Sequence, residues 1–104
     1  ARIREKYPDR IPVIVEVNHK DRATLDIGNK RKYLVPNDMT VGEFNYTLCK
    51  KRKDKDATKA LFMFTETKIL APTGELMQNM YRSEKNEDGF LYFVLTGEET
   101  FGAN

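Results

Sequence analysis

Cysteine is nearly absent from this chain of 104 residues, which carries only Cys49. A single cysteine excludes an intramolecular disulfide and any zinc site built from several thiolates. Such scarcity favours a reducing compartment, so we expect a cytoplasmic protein. We expect no metal and no cofactor.

Long apolar runs, internal repeats and low-complexity segments are also missing from the sequence. No stretch is long enough to cross a bilayer, and none resembles a secretory signal. Apolar residues make up 39% of the chain and charged residues 33%. This balance is typical of one soluble globular domain, which we place over residues 1–104 and expect to be a monomer.

The net charge is only +2, but the two halves of the chain differ in sign. Residues 1–55 hold 14 basic against 8 acidic side chains, whereas residues 56–104 hold 4 against 8. A basic front half favours acidic partners or anionic surfaces. The excess is too small to require a nucleic acid, and we expect none as partner.

Two strands are predicted in the first third of the chain, after a short helix over residues 3–7. Residues 10–17 are rich in β-branched side chains, and Pro12 lies near the start, where a missing N–H is tolerated. Residues 30–35 form a second run that ends at Pro36. Charges at one end and proline at the other are typical of an exposed sheet edge, which can accept a visiting strand.

A capping box predicts the longest helix. Thr40 and Glu43 have the required spacing, and apolar residues follow at helical intervals to about Lys53. The remaining predictions are strands at 61–65 and 68–70, a brief helix capped by Thr73, a turn at Asp88-Gly89 and an apolar central strand at 90–95. This element order is typical of an α+β, ubiquitin-like β-grasp roll, here with an additional N-terminal helix.

The C-terminal residues 97–104 form a flexible acidic tail that contains Phe101 and Gly102. A glycine without a Cβ can pass through a narrow enzyme channel and present an unhindered carbonyl. We therefore interpret the segment as a conjugation tail from which Ala103 and Asn104 are removed first. The alternative interpretation is a frayed terminus with an incidental glycine.

Several segments together resemble the autophagy-related protein 8 family, which includes microtubule-associated protein light chain 3 and the GABA type A receptor-associated protein. The similar segments are Tyr7-Pro8-Asp9-Arg10-Ile11-Pro12, Lys32-Tyr33-Leu34-Val35-Pro36, Met39-Thr40-Val41-Gly42-Glu43-Phe44, Glu87-Asp88-Gly89-Phe90-Leu91-Tyr92 and Glu99-Thr100-Phe101-Gly102. The resemblance runs from Arg2 to Gly102 in the same order, and is therefore more specific than one motif.

The resemblance implies a modifier without catalytic activity of its own. A cysteine protease would recognise Phe101, Gly102 and Ala103 and expose Gly102, which activating and conjugating enzymes would then join to phosphatidylethanolamine. It also implies location in the cytoplasm and, after lipidation, on the autophagosome membrane. Cargo receptors with an aromatic-x-x-aliphatic motif would be further partners.

The resemblance also implies a peptide-binding site along the predicted edge strand. Because side chains alternate across a strand, a peptide added to this edge sends its two anchors to opposite faces, and two pockets are required. The residues similar to the aromatic pocket are Ile3, Pro12, Lys32, Leu34 and Phe90. Those similar to the aliphatic pocket are Tyr33, Val35, Pro36, Met39, Phe44 and Leu48. Arg10, Lys30, Arg31 and Lys32 would attract acidic residues that flank the peptide.

Each of these assignments has a simpler alternative. Tyr33, Val35, Phe44 and Leu48 can be ordinary core residues. The run from Lys50 to Lys55 can be a solvated helix end rather than a site for RNA or anionic lipid, since cations suit a helix C-terminus. His19 and Cys49 lack an orienting partner for nucleophilic catalysis. A scaffold that binds peptides in vesicle traffic or on microtubules, without conjugation, is the alternative function.

Overall fold

In the computed structural model, residues 5–17, 30–50 and 61–97 are described. Four strands and two complete helices lie in them: β1 at Arg10–Val17, β2 at Lys30–Pro36, α1 at Val41–Cys49, β3 at Phe62–Thr65, α2 at Met77–Glu84 and β4 at Leu91–Thr96. The strands form one sheet in the order β2-β1-β4-β3. β1 runs parallel to β4, and the two outer pairs are antiparallel.

The two central strands explain where the core lies. On β1, Val13, Val15 and Val17 are fully buried, and on β4 their partners Leu91, Phe93 and Leu95 are fully buried as well. These six side chains point to the same face of the sheet because residues paired in register share a face. The prediction that the last apolar run is a central strand is confirmed.

The edge position predicted for the second strand is also confirmed. β2 is paired with β1 over its whole length, from Lys30 opposite Glu16 to Pro36 opposite Arg10. No strand in the described ranges pairs with its other side. One border of β2 therefore keeps backbone groups that a visiting strand can use.

Helix α1 begins at the predicted capping box. The Thr40 hydroxyl accepts from the Glu43 N–H at 3.1 Å, and the Glu43 carboxylate accepts from the Thr40 N–H at 2.9 Å. Val41, Phe44 and Leu48 form the buried face of the helix. The helix ends at Cys49 with Lys50 as its C-cap, and the predicted continuation to Lys53 lies outside the described residues.

Two local predictions are wrong. Thr73 does not cap α2, which begins at Met77 after Leu76 with no side-chain cap. The Thr73 carbonyl instead accepts from the Gly42 N–H at 2.9 Å. A Cβ at Gly42 would lie 3.0 Å from the same oxygen, so a larger residue there would have to push the Thr73 carbonyl away by a few tenths of an ångström.

The predicted strand at 68–70 is the second wrong assignment. Lys68 has a φ of 67°, in the left-handed region, because the chain turns back after Thr65. Only an isolated bridge joins Leu70 to Phe64. Of the predicted N-terminal helix, Glu5 and Lys6 are helical, and residues 1–4 lie outside the described part of the chain.

Candidate functional site

The open border of β2 carries the basic side chains predicted to attract an acidic partner. Arg31 and Lys32 are exposed on the strand, whereas Arg10 is exposed on β1 opposite Pro36, at the other end of β2. Lys30 belongs to the strand, but its side chain lies outside the described residues. A strand added here would pair its backbone beside the exposed charges of Arg31 and Lys32.

On the face of the sheet opposite the core, the register brings together four of the five residues predicted for the aromatic pocket. Leu34 lies opposite Pro12. Phe90 directly precedes β4, and because Leu91 is paired with Val13, Phe90 is level with Pro12 on the other side of β1. Lys32 lies in the next row, and its Nζ is 5.6 Å from the centroid of the Phe90 ring. We call this surface the outer hollow: Pro12, Lys32, Leu34 and Phe90. Ile3 lies outside the described residues.

On the opposite face, a pocket of about 140 Å³ lies between β2 and α1. We call it the inner hollow; its lining residues are Tyr33, Leu34, Val35, Pro36, Met39, Phe44 and Thr47. Val35 and Phe44 are each only 3% exposed, so they form the floor of the pocket and belong to the core at the same time. The core and pocket interpretations of these two residues are therefore compatible.

One predicted residue of the inner hollow is placed elsewhere, and two lining residues were not predicted for it: Thr47, and Leu34, which was assigned to the aromatic pocket. Leu48 is fully buried in the core and does not line the pocket. It is one helical turn beyond Phe44 and points deeper under the sheet. Thr47 lines the pocket instead. Its spacing of three residues from Phe44 places it on a neighbouring stripe of the helix, a signal that could have identified it.

Met39 is held in the inner hollow by backbone hydrogen bonds. Its N–H donates to the Pro36 carbonyl at 3.2 Å, and its carbonyl accepts from the Met77 N–H at 2.8 Å. The segment between β2 and α1 is thereby fastened to the start of α2. The side chain of Met39 packs against the core cluster while lining the pocket. A flexible thioether suits a site that must adapt to different aliphatic side chains.

Tyr33 has an unusual environment in the inner hollow. Its ring lies edge-on to the Phe44 ring, with 5.5 Å between centroids and 80° between planes. Its hydroxyl oxygen is buried and has no hydrogen-bond partner among the described residues. Burial raises the pKa of Tyr33 above its usual value, and the positive charge of Arg31 lowers it in part. The hydroxyl therefore stays protonated and loses hydration without compensation.

We expect Tyr33→Phe to raise the free energy of unfolding by about 1 kcal/mol, because the substitution removes a polar group that is buried without a partner. Tyr81→Phe is the matched control: the Tyr81 hydroxyl donates to the Gly89 carbonyl at 2.8 Å in a buried position. This control should lower the free energy of unfolding by about 1 kcal/mol. Urea denaturation followed by circular dichroism measures both. Equal losses in the two variants would contradict the assignment for Tyr33.

The catalytic and metal alternatives gain no support from the described residues. Cys49 is half-buried, and its sulfur lies 3.7 Å from the Asn45 Oδ1. His19 lies outside the described residues, as do Asp54 and Asp56. Within the described ranges, no group of three or more His, Cys, Asp or Glu side chains is arranged to hold a metal ion. None of the described helices is long and apolar enough to span a membrane.

The sheet order, the helix across one face and the exposed edge strand together define a ubiquitin-like protein. Residues 1–102 match the family model described as autophagy protein Atg8, ubiquitin like. Autophagy-related protein 8e of Arabidopsis thaliana is 55% identical over 105 residues, which cover 100% of this chain and 82% of that protein. The chain belongs to the Atg8 family of ubiquitin-like autophagy proteins.

Two solved structures are similar to this fold. The crystal structure of Trypanosoma brucei ATG8 has a TM-score of 0.75 at 41% identity, covering 97% of this chain and 84% of that one. Plasmodium falciparum Atg8, solved in complex with a peptide of Plasmodium falciparum Atg3, has a TM-score of 0.77 at 35% identity. That match covers 96% of this chain and 85% of the other. The predicted ubiquitin-like fold and family resemblance are confirmed.

Proposed function

We propose that this protein is a modifier joined through Gly102 to phosphatidylethanolamine, which recruits cargo receptors carrying an aromatic-x-x-aliphatic motif to forming autophagosomes. The observation that carries this proposal is the open border of β2, with a pocket on one face of the sheet and the four residues of the outer hollow on the other. An extended peptide sends residues three positions apart to opposite faces, as this arrangement requires. The protein acts as a substrate and adaptor and performs no catalysis itself.

The docking geometry follows from the edge strand. A peptide strand placed along β2 would hydrogen-bond to its backbone and direct the aliphatic anchor into the inner hollow. The aromatic anchor would then face Phe90 and Leu34 in the outer hollow. Acidic residues beside the anchors would lie near Arg31 and Lys32, where exposed charge pairs mainly speed the encounter.

The proposed conjugation tail begins where the sheet ends. Thr96 of β4 lies opposite Phe62 of β3, and Gly97, the first residue of the tail, is the last described residue. Phe101, Gly102 and Ala103 lie outside the described residues. Gly102 lies five positions beyond Gly97, a span of up to about 17 Å when the chain is extended. This length lets the glycine carbonyl enter an enzyme channel while the folded domain stays outside.

The pathway partners are proposed on the same grounds. The related Plasmodium protein was solved with an Atg3 peptide. By analogy, we propose that this chain binds the conjugating enzyme of its own pathway through a peptide segment. A cysteine protease and an activating enzyme would act on the tail before it. The protein would be cytoplasmic before lipidation and attached to autophagosome membranes afterwards.

Reconstitution tests the proposed conjugation directly. The chain is incubated with the protease and the activating and conjugating enzymes, in the presence of vesicles that contain phosphatidylethanolamine. Mass spectrometry is expected to find a C-terminus at Gly102 and then an adduct of one lipid. An unprocessed Asn104 after incubation would favour the scaffold that works without conjugation.

The combined substitution Tyr33→Ala and Leu34→Ala tests the receptor site. We expect binding of an aromatic-x-x-aliphatic peptide to weaken on the order of tenfold or more, because one contact is lost in each hollow. Leu34 is exposed, whereas Tyr33 packs on Phe44, so stability should also fall modestly. Calorimetric titration at a temperature where the variant is folded measures the affinity.

A matched control uses Tyr46→Ala with Ile69→Ala. These side chains are also one aromatic and one aliphatic residue, they are exposed, and they line neither hollow. The control should bind the peptide as the unmodified chain does. Equal losses in the two double variants would move the receptor site away from β2.

A further inference from the structure

The turn that precedes β4 is held by several backbone and side-chain hydrogen bonds. The Asn86 N–H donates to the Phe90 carbonyl at 2.8 Å, and the Gly89 N–H donates to the Asn86 carbonyl at 3.0 Å. Gly89 has a φ of 88°, which glycine adopts without strain. The buried Tyr81 hydroxyl donates to the Gly89 carbonyl. These bonds fix the backbone from which Phe90 projects.

Asp88 ties this turn to the strand that follows. Its Oδ1 accepts from the Phe90 N–H at 2.9 Å, and its Oδ2 accepts from the Tyr92 hydroxyl at 2.5 Å. The Asp88 N–H in turn donates to the Asn86 side chain at 3.0 Å. Both carboxylate oxygens of Asp88 therefore accept a hydrogen bond, one from the backbone of Phe90 and one from the side chain of Tyr92. Phe90 is held at its N–H by Asp88 and at its carbonyl by Asn86.

The ring that these bonds position belongs to the outer hollow. Phe90 is half-buried, with Lys32 over its ring and the Leu34–Pro12 row beside it. Tyr92 lies two residues further on the same face, opposite Ile14 of β1. Asp88 lies at the rim and is exposed. Its contacts govern the position of a wall of the hollow rather than the packing of the core.

We propose that Asp88 is a positioning residue for aromatic-anchor recognition: through its bonds to the Phe90 N–H and the Tyr92 hydroxyl, it preorganises the outer hollow. The inference rests on the proposed function, since it concerns the same receptor site. It goes beyond that function because it assigns peptide selectivity to a residue that does not line either hollow. Rigid placement of a wall residue lowers the cost of ordering the site when a peptide binds.

The charge states agree with this geometry. The Tyr92 hydroxyl and the Phe90 N–H lower the pKa of Asp88 below its usual value. The bond to Asp88 raises the pKa of Tyr92, and burial and the charges of Asp88 and Glu66 act in the same direction. At neutral pH the pair is therefore a hydroxyl donating to a carboxylate, a charge-assisted bond that is stronger than a neutral one.

Three synthetic peptides test the proposal: an acidic peptide with a Trp-x-x-Leu core, the same peptide with its tryptophan replaced by alanine, and the same peptide with its leucine replaced by alanine. Dissociation constants are measured for Asp88→Ala, Asp88→Asn and the unmodified chain. Glu75→Ala is the matched control, because the Glu75 carboxylate also accepts one backbone and one side-chain bond, from Leu76 and Asn79. It lines neither hollow.

Asp88→Ala is expected to raise the dissociation constants of the parent peptide and of the peptide without leucine by on the order of fivefold to tenfold. The dissociation constant of the peptide without tryptophan should change by less than about twofold, because this peptide does not use the outer hollow. Asp88→Asn should restore binding, since the amide keeps an acceptor for Phe90 and a donor toward the Tyr92 oxygen. Glu75→Ala should leave all three affinities unchanged.

Equal losses on the three peptides, or no loss on any, would overturn the positioning role while the receptor site itself stands. If the unmodified chain does not bind the parent peptide, the proposed receptor function and this inference fail together. Should Asp88→Ala not fold, Tyr92→Phe replaces it, because it removes one of the two bonds and keeps the ring. A loss confined to peptides with tryptophan supports the proposal, and any other pattern overturns it.

Discussion

Gly102→Ala is expected to abolish attachment to phosphatidylethanolamine and to leave the folded domain unchanged. Glycine presents its carbonyl to a nucleophile without a side chain at the adjacent carbon, and a methyl group there obstructs a narrow channel. A displacement of about 1 Å at a reacting centre costs on the order of 100-fold in rate. Conjugation to vesicles, read from the shift of the lipidated band on a gel, should therefore be undetectable.

Gly74→Ala provides the matched control for this experiment. A Cβ added at Gly74 meets no atom within 4 Å, so the same chemical change is tolerated there. We expect this variant to be lipidated at the rate of the unmodified chain. Both variants should melt at the unmodified temperature. Continued lipidation of the Gly102→Ala chain would reject the role proposed for Gly102.

Leu48→Ala is expected to lower the free energy of unfolding by about 2–5 kcal/mol, because it leaves a cavity under the sheet. Leu48 is 0% exposed and belongs to the core cluster. Since it does not line the inner hollow, peptide affinity of the folded protein should change by less than about twofold. Urea denaturation gives the stability, and titration at low temperature gives the affinity.

Leu34→Ala should behave in the opposite way. Leu34 is 40% exposed and its side chain belongs to the outer hollow, so its truncation should change the free energy of unfolding by less than about 0.5 kcal/mol. Peptide binding should weaken severalfold, by a truncation cost of about 1 kcal/mol. A Leu48→Ala chain that stays folded but loses the peptide would place Leu48 in the binding site after all.

Much of the fold could be predicted because local chemistry and tertiary structure agree. The β-branched run at 10–17 and the apolar run at 90–95 became the two central strands, and the Thr40–Glu43 capping box begins α1 as expected. The edge position of β2 followed from its charges and its terminal proline. In each case the local sequence pattern favoured one element, and the contacts of the folded chain favoured the same element.

The failures occurred where several long-range contacts decide the outcome. Thr73 has a side chain suited to an N-cap, but its carbonyl accepts a hydrogen bond from Gly42 of α1, a helix about 30 residues earlier in the sequence. Helical spacing places Phe44 and Leu48 on one face and cannot separate a pocket floor from the deeper core. A turn at Asp88-Gly89 was predictable, whereas the return of the Asp88 carboxylate to Phe90 and Tyr92 depends on the geometry of the turn.

Backbone amide exchange, measured by NMR with and without an aromatic-x-x-aliphatic peptide, tests the open border of β2 most directly. Amide groups of Arg31–Val35 that point away from β1 should become protected when the peptide binds. Those of β3 at Phe62–Thr65, on the far edge of the sheet, should exchange as before. Saturating peptide that leaves the exchange of β2 unchanged would contradict strand addition and the account built on it.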